Sequence, residues 1–300
     1  MLDTFDLSLR AKYPDDHLHL VTFRDHPKKV FEKIKKEVES GESSADIVIG
    51  PHWMILNLQL AGLLKPYDSP EFEYYNKEFY DPNGAWCAMA LSPVGLAYNT
   101  NLVKEEEAPS TLFDTVNQKW KGKLAFHEII ENNEGQMGLT YLTVLQREMG
   151  EKRWEDFVWR LADQKPKTYE CMPNMALNIG LGNSYLGLPA TMSCIAYYFD
   201  IQNRPIMHKM PSDVPFLTTF APSIGFLGKG EDLDWAERAF DFALSEDWQS
   251  RVESFGGKIP ARRGLIPETS YRENTEYFPT LKDAAKIPEY QNILRRKFSA

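Results

Sequence analysis

The chain reads as an α/β protein of two lobes, and three observations carry that reading. Short apolar runs alternate with helical stretches almost throughout, the pattern of mostly parallel sheets covered by helices. A length of 300 residues exceeds what one hydrophobic core usually spans, about 250. Chain that leaves one lobe near Asn99 and returns near Pro222, with no flexible linker, predicts a discontinuous first lobe of residues 1–98 and 223–300 and a second of 99–222.

Each element has a local reason. Residues 2–13 and Pro27–Glu39 have helical spacing, the latter with Val30, Phe31, Ile34 and Val38 on one face. His17–Phe23 reads as a strand between them, and Ala45–Gly50 as a buried strand ending in glycine. Trp53–Leu64 is apolar nearly all round, as a buried helix is. Cys87–Leu91 and Gly95–Asn99 read as strands, with Pro93 allowing only a break or an edge between them.

The second block predicts a helix near Thr111–Gln118, a strand at Lys123–Phe126, and helices near Gly135–Met149 and Glu151–Ala162. Gly187–Met192 is a strand leading into a helix that bears Tyr197 and Tyr198, and Pro205–Lys209 is the next strand. Pro211, Pro215 and Pro222 punctuate a crossing into Ser223–Leu227. Beyond it, Ala236, Ala239, Phe240, Ala243 and Leu244 form a helical stripe. Ser245, followed by Glu246 and Asp247, suits the cap of a second helix that runs to Phe255 and stops at Gly256-Gly257.

Composition excludes several functions. A net charge of −9 argues against a nucleic-acid or anionic-membrane partner, since those bind through clustered Lys and Arg. No run of about 18 apolar residues occurs, so no membrane span is expected. The opening MLDTFDLSLR carries acids where a secretory leader has a basic and then an apolar segment. Cys87, Cys171 and Cys194 are widely separated, show no metal spacing, and allow at most one disulfide; buried thiols are expected. No G-x-G-x-x-G, P-loop, H-E-x-x-H or G-x-S-x-G is present, so no catalytic residue is assigned and no cofactor is expected.

The stretch WAERAFDFALSEDWQSRVESFGGKIPARRG, with S…Q ahead of G…P.R.G, resembles the signature of extracytoplasmic solute-binding proteins of ABC importers. ADIVIG…LQLAGLLKPYDSP at 45–70, VGLAYNTN at 94–101, APSTLFDTVNQKWKGKLAF at 108–126 and GLPATMSCIAYYF at 187–199 are similar to the ferric-iron branch, in the same order. The resemblance implies a type II periplasmic-binding-protein fold, a small solute captured between the lobes by hinge closure, a permease partner, a monomer and a periplasmic or extracellular location. It also implies a first strand ahead of the helix at 2–13; Met1 stands immediately before that helix, so the expectation is either a clipped or misassigned start or a lost first strand. Arginines that hold a companion anion are replaced at 90–96 by Ala-Leu-Ser-Pro-Val-Gly-Leu.

By the same resemblance, Tyr197 and Tyr198 stand where the iron binders carry an adjacent pair. Fe3+ prefers phenolate oxygen and can displace a proton that a free phenol, with pKa near 10, keeps at neutral pH. The other reading packs one ring in the core and leaves its neighbour to line a pocket for an organic solute, such as a phosphonate. Neighbours on a regular α-helix point about 100° apart, so joint ligation needs a different backbone. His52, at the carboxyl end of the 45–50 strand, aligns within a residue of a carboxylate used by the iron binders, so the resemblance implies a metal ligand there if the solute is ferric, or else a pocket-edge imidazole for an organic one; Trp53 beside it could wall a ring-bearing or cationic solute. Gly135 and Gln136 open a helix whose free N–H groups suit an anion, and Ser92 and Asn99 lie near the first crossing as hydrogen-bond donors. The alternative is a cytosolic enzyme or regulator built on the same lobes, of the thiamine-precursor-synthase or effector-domain kind, cytoplasmic if Met1 is the true start.

Overall fold

The computed structural model describes residues 2–14, 20–41, 45–127, 136–230, 233–267 and 275–298. In chain order its first elements are α1 (Leu2–Lys12), α2 (Pro27–Ser40), β1 (Ile47–Gly50), α3 (His52–Leu60), β2 (Trp86–Ala88) and β3 (Ala90–Asn99). Next come β4 (Leu124–His127), α4 (Gln136–Met149), α5 (Glu151–Asp163), β5 (Lys167–Tyr169), α6 (Met172–Gly180), β6 (Leu186–Thr191) and α7 (Met192–Ala196). A π turn over Tyr197–Ile201 follows, then β7 (Ile206–Lys209), β8 (Phe216–Phe220), β9 (Ser223–Phe226), α8 (Leu233–Leu244) and α9 (Glu246–Gln249). The last are β10 (Ile259–Pro260), β11 (Thr275–Phe278) and α10 (Leu281–Phe298).

The chain divides into two compact units, residues 1–91 with 220–271 and residues 92–219 with 272–300. Chain therefore passes between units three times, where the sequence reading has two crossings and keeps 223–300 whole in the first lobe. The C-terminal segment goes to the second unit for a physical reason. α10 packs on α4, burying Ile287, Tyr290 and Leu294 in that unit's core. Arg147 of α4 donates to Asp283 at 2.7 Å, and the same carboxylate receives the Thr280 backbone N–H at 2.9 Å.

In the first unit, β9 lies between β1 and β2 and is antiparallel to both, with Ile47 opposite Phe226 and Trp86 opposite Gly225. The predicted parallel sheet is thus antiparallel across these strands, because β9 enters from the second unit in the reverse sense. α3 buries His52 to Leu56 and Leu58, consistent with its apolar run. Tyr67 stacks on Phe226 at 5.1 Å and donates to Asp241 of α8 at 2.9 Å, tying the helix stripe to the sheet. Ser245 does not cap α9 through its side chain; its hydroxyl instead donates to the Phe242 carbonyl at 2.8 Å. The expected helix to Phe255 is accordingly split into α9 and a 3-10 turn at Val252–Ser254. Gly256 and Gly257 then take φ of 85° and 65°, which end it.

Of the strand expected at His17–Phe23, residues 17–19 lie outside the described residues, and 20–26 have no regular structure. Val21 is 90% exposed and Phe23 53% exposed, so this apolar sequence finds no ladder among the described residues.

In the second unit β4 is parallel to β5 and β6, while β3 is antiparallel to β6 and β7. All ten residues of β3 are buried, and the strand runs unbroken through Pro93. The proline is tolerated because β3 changes partners there: Ala90 and Leu91 pair with β10, and the ladder with β6 begins at Val94. The helix expected near 111–118 is two short 3-10 turns, Phe113–Val116 and Gln118–Trp120.

Candidate functional site

Within the second unit, β6 and α6 position the tyrosine pair. β6 is buried from Leu186 to Ala190 and delivers the chain to α7 at the sheet's carboxyl end, where α/β proteins hold ligands. Gly187 admits α6, for a β-carbon there would stand 2.7 Å from Ile179 Cδ1 and 3.1 Å from Ala125 Cβ. After one turn of α7 the helix widens. The Gln202 N–H reaches back five residues to the Tyr197 carbonyl at 3.2 Å, the bond that defines a π turn. Asn203 then takes φ 48°, a left-handed conformation that Asn tolerates better than most residues, and the turn ends.

This turn changes how the two phenols stand. The Tyr197 and Tyr198 rings meet edge to face at 5.4 Å between centroids. Tyr197 is 41% exposed, and its hydroxyl receives the Gln202 side-chain amide at 3.3 Å. Tyr198 is half-buried against Met172, Met175, Ala176 and Ile179, a cluster that Cys194 also joins. Burial raises the Tyr198 phenol above its usual range, and the neighbouring Cys194 and Cys171 thiols add to the shift. Phe199 and Ile201 are exposed on the same turn.

The other predicted residues sit in quieter places. His52 opens α3 at the end of β1, as expected, but it is 2% exposed. Its Nδ1 is 2.9 Å from Ser223 Oγ, and its ring lies edge-on to Trp86 at 4.5 Å and Phe220 at 4.7 Å. Trp53 is buried beside it in α3. Ser92 donates to Ser193 Oγ at 3.0 Å and accepts the Ser193 backbone N–H at 3.1 Å, tying β3 to the start of α7. Asn99 donates to the Ile179 carbonyl at 2.7 Å and accepts the Asn101 N–H at 2.9 Å, closing the end of α6. Gly135 lies outside the described residues, and Gln136 begins α4. Among the described residues, no group of three or more His, Cys, Asp or Glu gathers where a metal could bind.

The sequence reading expected three buried thiols; Cys87 is buried, but Cys171 and Cys194 are only partly so. One signal was present: Cys194 precedes Tyr198 by four residues and so shares its helix face. The approach of Cys171 comes from α6 packing on α7, which the sequence does not display.

A family model described as bacterial extracellular solute-binding protein matches residues 42–286. The chain belongs to that family. The match supports the solute-receptor reading and lends none to the enzyme or regulator alternative. The family is one of substrate-binding proteins placed outside the cytoplasm, and no described helix is long and apolar enough to cross a membrane. No curated protein sequence matches significantly. Among solved structures, iron-bound HitA from Pseudomonas aeruginosa superposes with TM-score 0.78 at 18% identity, covering 98% of this chain and 95% of its own. The ferric binding protein from Campylobacter jejuni gives 0.76 at 14% identity, with 98% and 96% covered. AfuA from Actinobacillus pleuropneumoniae, a periplasmic binding protein with fructose-6-phosphate bound, gives 0.75 at 20% identity, with 99% and 93% covered. At these identities the likeness establishes the fold, that of type II periplasmic binding proteins.

Proposed function

We propose that this solute-binding protein is the receptor of an ABC importer and that its solute is ferric iron, held by the phenolate oxygens of Tyr197 and Tyr198. One observation carries the reading: two adjacent tyrosines, close enough to touch, are presented on a π turn at the carboxyl end of β6. Such turns often mark functional positions, and widening the helix relaxes the splay that separates neighbouring side chains on an α-helix. That HitA holds iron and the Campylobacter protein is a ferric binder on the same fold adds support.

Binding is a proton exchange. Each phenol gives up its proton to solvent as the ion arrives, and the raised pKa of Tyr198 makes that exchange harder at low pH. Affinity therefore rises with pH below the phenol range. The remaining coordination positions go to oxygen donors of the chelate that delivers the ion, with the backbone amide of Gln136, at the start of α4, receiving its negative charge. Ser92 and Asn99 act on the site through Ser193 and the end of α6. His52 and Trp53 are buried inside the first unit and are given no part in holding the ion. A solute that binds one conformation of the receptor more tightly shifts the population toward it, and a permease reads that shift. The solute is passed on chemically unchanged, and the receptor works as a monomer outside the cytoplasm.

The test is thermal unfolding of metal-free protein with and without excess ferric citrate. The reading predicts a raised midpoint that the double substitution Tyr197→Phe, Tyr198→Phe abolishes. A midpoint unmoved by iron but raised by a sugar phosphate would replace the metal with an organic anion.

A further inference from the structure

We propose that His208 is a positioning residue for the tyrosine turn, the clasp that closes the base of the loop on which Tyr197 and Tyr198 are carried. The loop leaves β6 at Ala190, runs through α7 and the π turn, and returns along β7. At its base the His208 Nε2–H donates to the Ala190 carbonyl at 3.0 Å, joining residues 18 apart in the chain. Ala190 immediately precedes Thr191, the residue that opens α7. One side chain thus holds the entry to the loop against its exit.

The backbone around this bond shows why a side chain is needed there. β6 and β7 both pair with β3, Ala97 standing opposite Gly187 on one side and opposite His208 on the other. β3 therefore lies between them, and the imidazole bridges the two. Gly95, the residue opposite Ala190, lets β7 close in, for a β-carbon there would run into the Lys209 carbonyl. α7 also packs on β7. Inside the loop, the Gln202 N–H reaches the Tyr197 carbonyl at 3.2 Å and the Arg204 N–H reaches the Tyr198 carbonyl at 2.9 Å. Those two amides fix the tyrosine backbone to the returning limb, and His208 fixes that limb to β6. Without the imidazole donor the Ala190 carbonyl loses a partner and the limb opens more readily.

What the loop is for rests on the ferric reading; the clasp itself is tested without iron. Amide hydrogen exchange is followed on the metal-free full chain for the wild type, His208→Ala and His208→Gln, the last keeping a side-chain N–H donor. The Gln202 and Arg204 amides should exchange about fivefold faster in His208→Ala and return to the wild-type rate in His208→Gln. The Trp154 amide of α5, bonded to the Gly150 carbonyl at 3.0 Å in the same unit, should exchange alike in all three. Titration of the same proteins with ferric citrate should show affinity lowered about fivefold in His208→Ala alone. Unchanged exchange at Gln202 and Arg204, or an equal rise at Trp154, would overturn the clasp. Faster exchange with unchanged iron affinity would overturn the positioning role. A wild type that binds no iron while the exchange pattern holds would sink the ferric reading and support the clasp.

Discussion

His52 and the Tyr197–Tyr198 pair stand at equivalent places in their units, each where the chain leaves the carboxyl end of a strand for a helix. The surroundings differ. His52 is sealed among Trp86, Phe220 and Ser223, while Tyr197 faces solvent on a widened turn. The contrast teaches that position in an α/β fold nominates a site residue, and that local backbone and packing decide what it does. A ring held on two aromatic edges is built into the core. A phenol held by a 3.3 Å contact from the Gln202 side chain can be given up to a ligand.

The largest effect expected from breaking the comparison is at the sealed end. His52→Ala removes two aromatic contacts and leaves the Ser223 hydroxyl without its imidazole, costing about 3 kcal/mol of stability. Urea unfolding measures it; unchanged stability with lost solute binding would make His52 a ligand instead. Next comes a second enclosed imidazole, His208, whose Nε2 meets the Ala190 carbonyl at 3.0 Å. Burial lowers its pKa from 6.5 to about 4. The unfolded chain therefore takes up a proton that the native chain refuses, so stability is full above pH 6.5 and falls as pH drops towards about 4. The loss is about 2 kcal/mol, because the ring keeps some water contact. His208→Gln should flatten that slope.

Smaller again is Ser92→Ala, which strips the Ser193 backbone N–H of its buried acceptor for about 1–2 kcal/mol. Smallest of all are Tyr197→Phe and Tyr198→Phe, which should leave stability within about 0.5 kcal/mol of wild type. A large loss at either tyrosine would place it with His52 as a structural ring and erase the contrast.

The sequence displayed what depends on neighbours along the chain. The apolar run of α3, the stripe of α8 and the strand-to-helix passage at 186–197 all follow from local periodicity. What it hid depends on distant partners. Ser223 lies 171 residues from His52, so nothing near His52 announces that the imidazole is already engaged. Pro93 argued for a break that the change of partners along β3 makes unnecessary. Ser245 had the composition of a cap, yet a nearer carbonyl took its hydroxyl. The π turn is the consequential omission, since no residue type specifies an i to i+5 bond. It arises where α7, packed on α6, must end against Asn203 and β7.

The most direct measurement is the visible spectrum of metal-free protein titrated with ferric citrate, beside the tyrosine and His52 variants. The account predicts a phenolate-to-iron charge-transfer band that saturates at one ion per chain, is lost in Tyr197→Phe and Tyr198→Phe, and persists in His52→Gln. A band that survives both tyrosine substitutions, or no band in the wild-type protein at saturating iron, would contradict it.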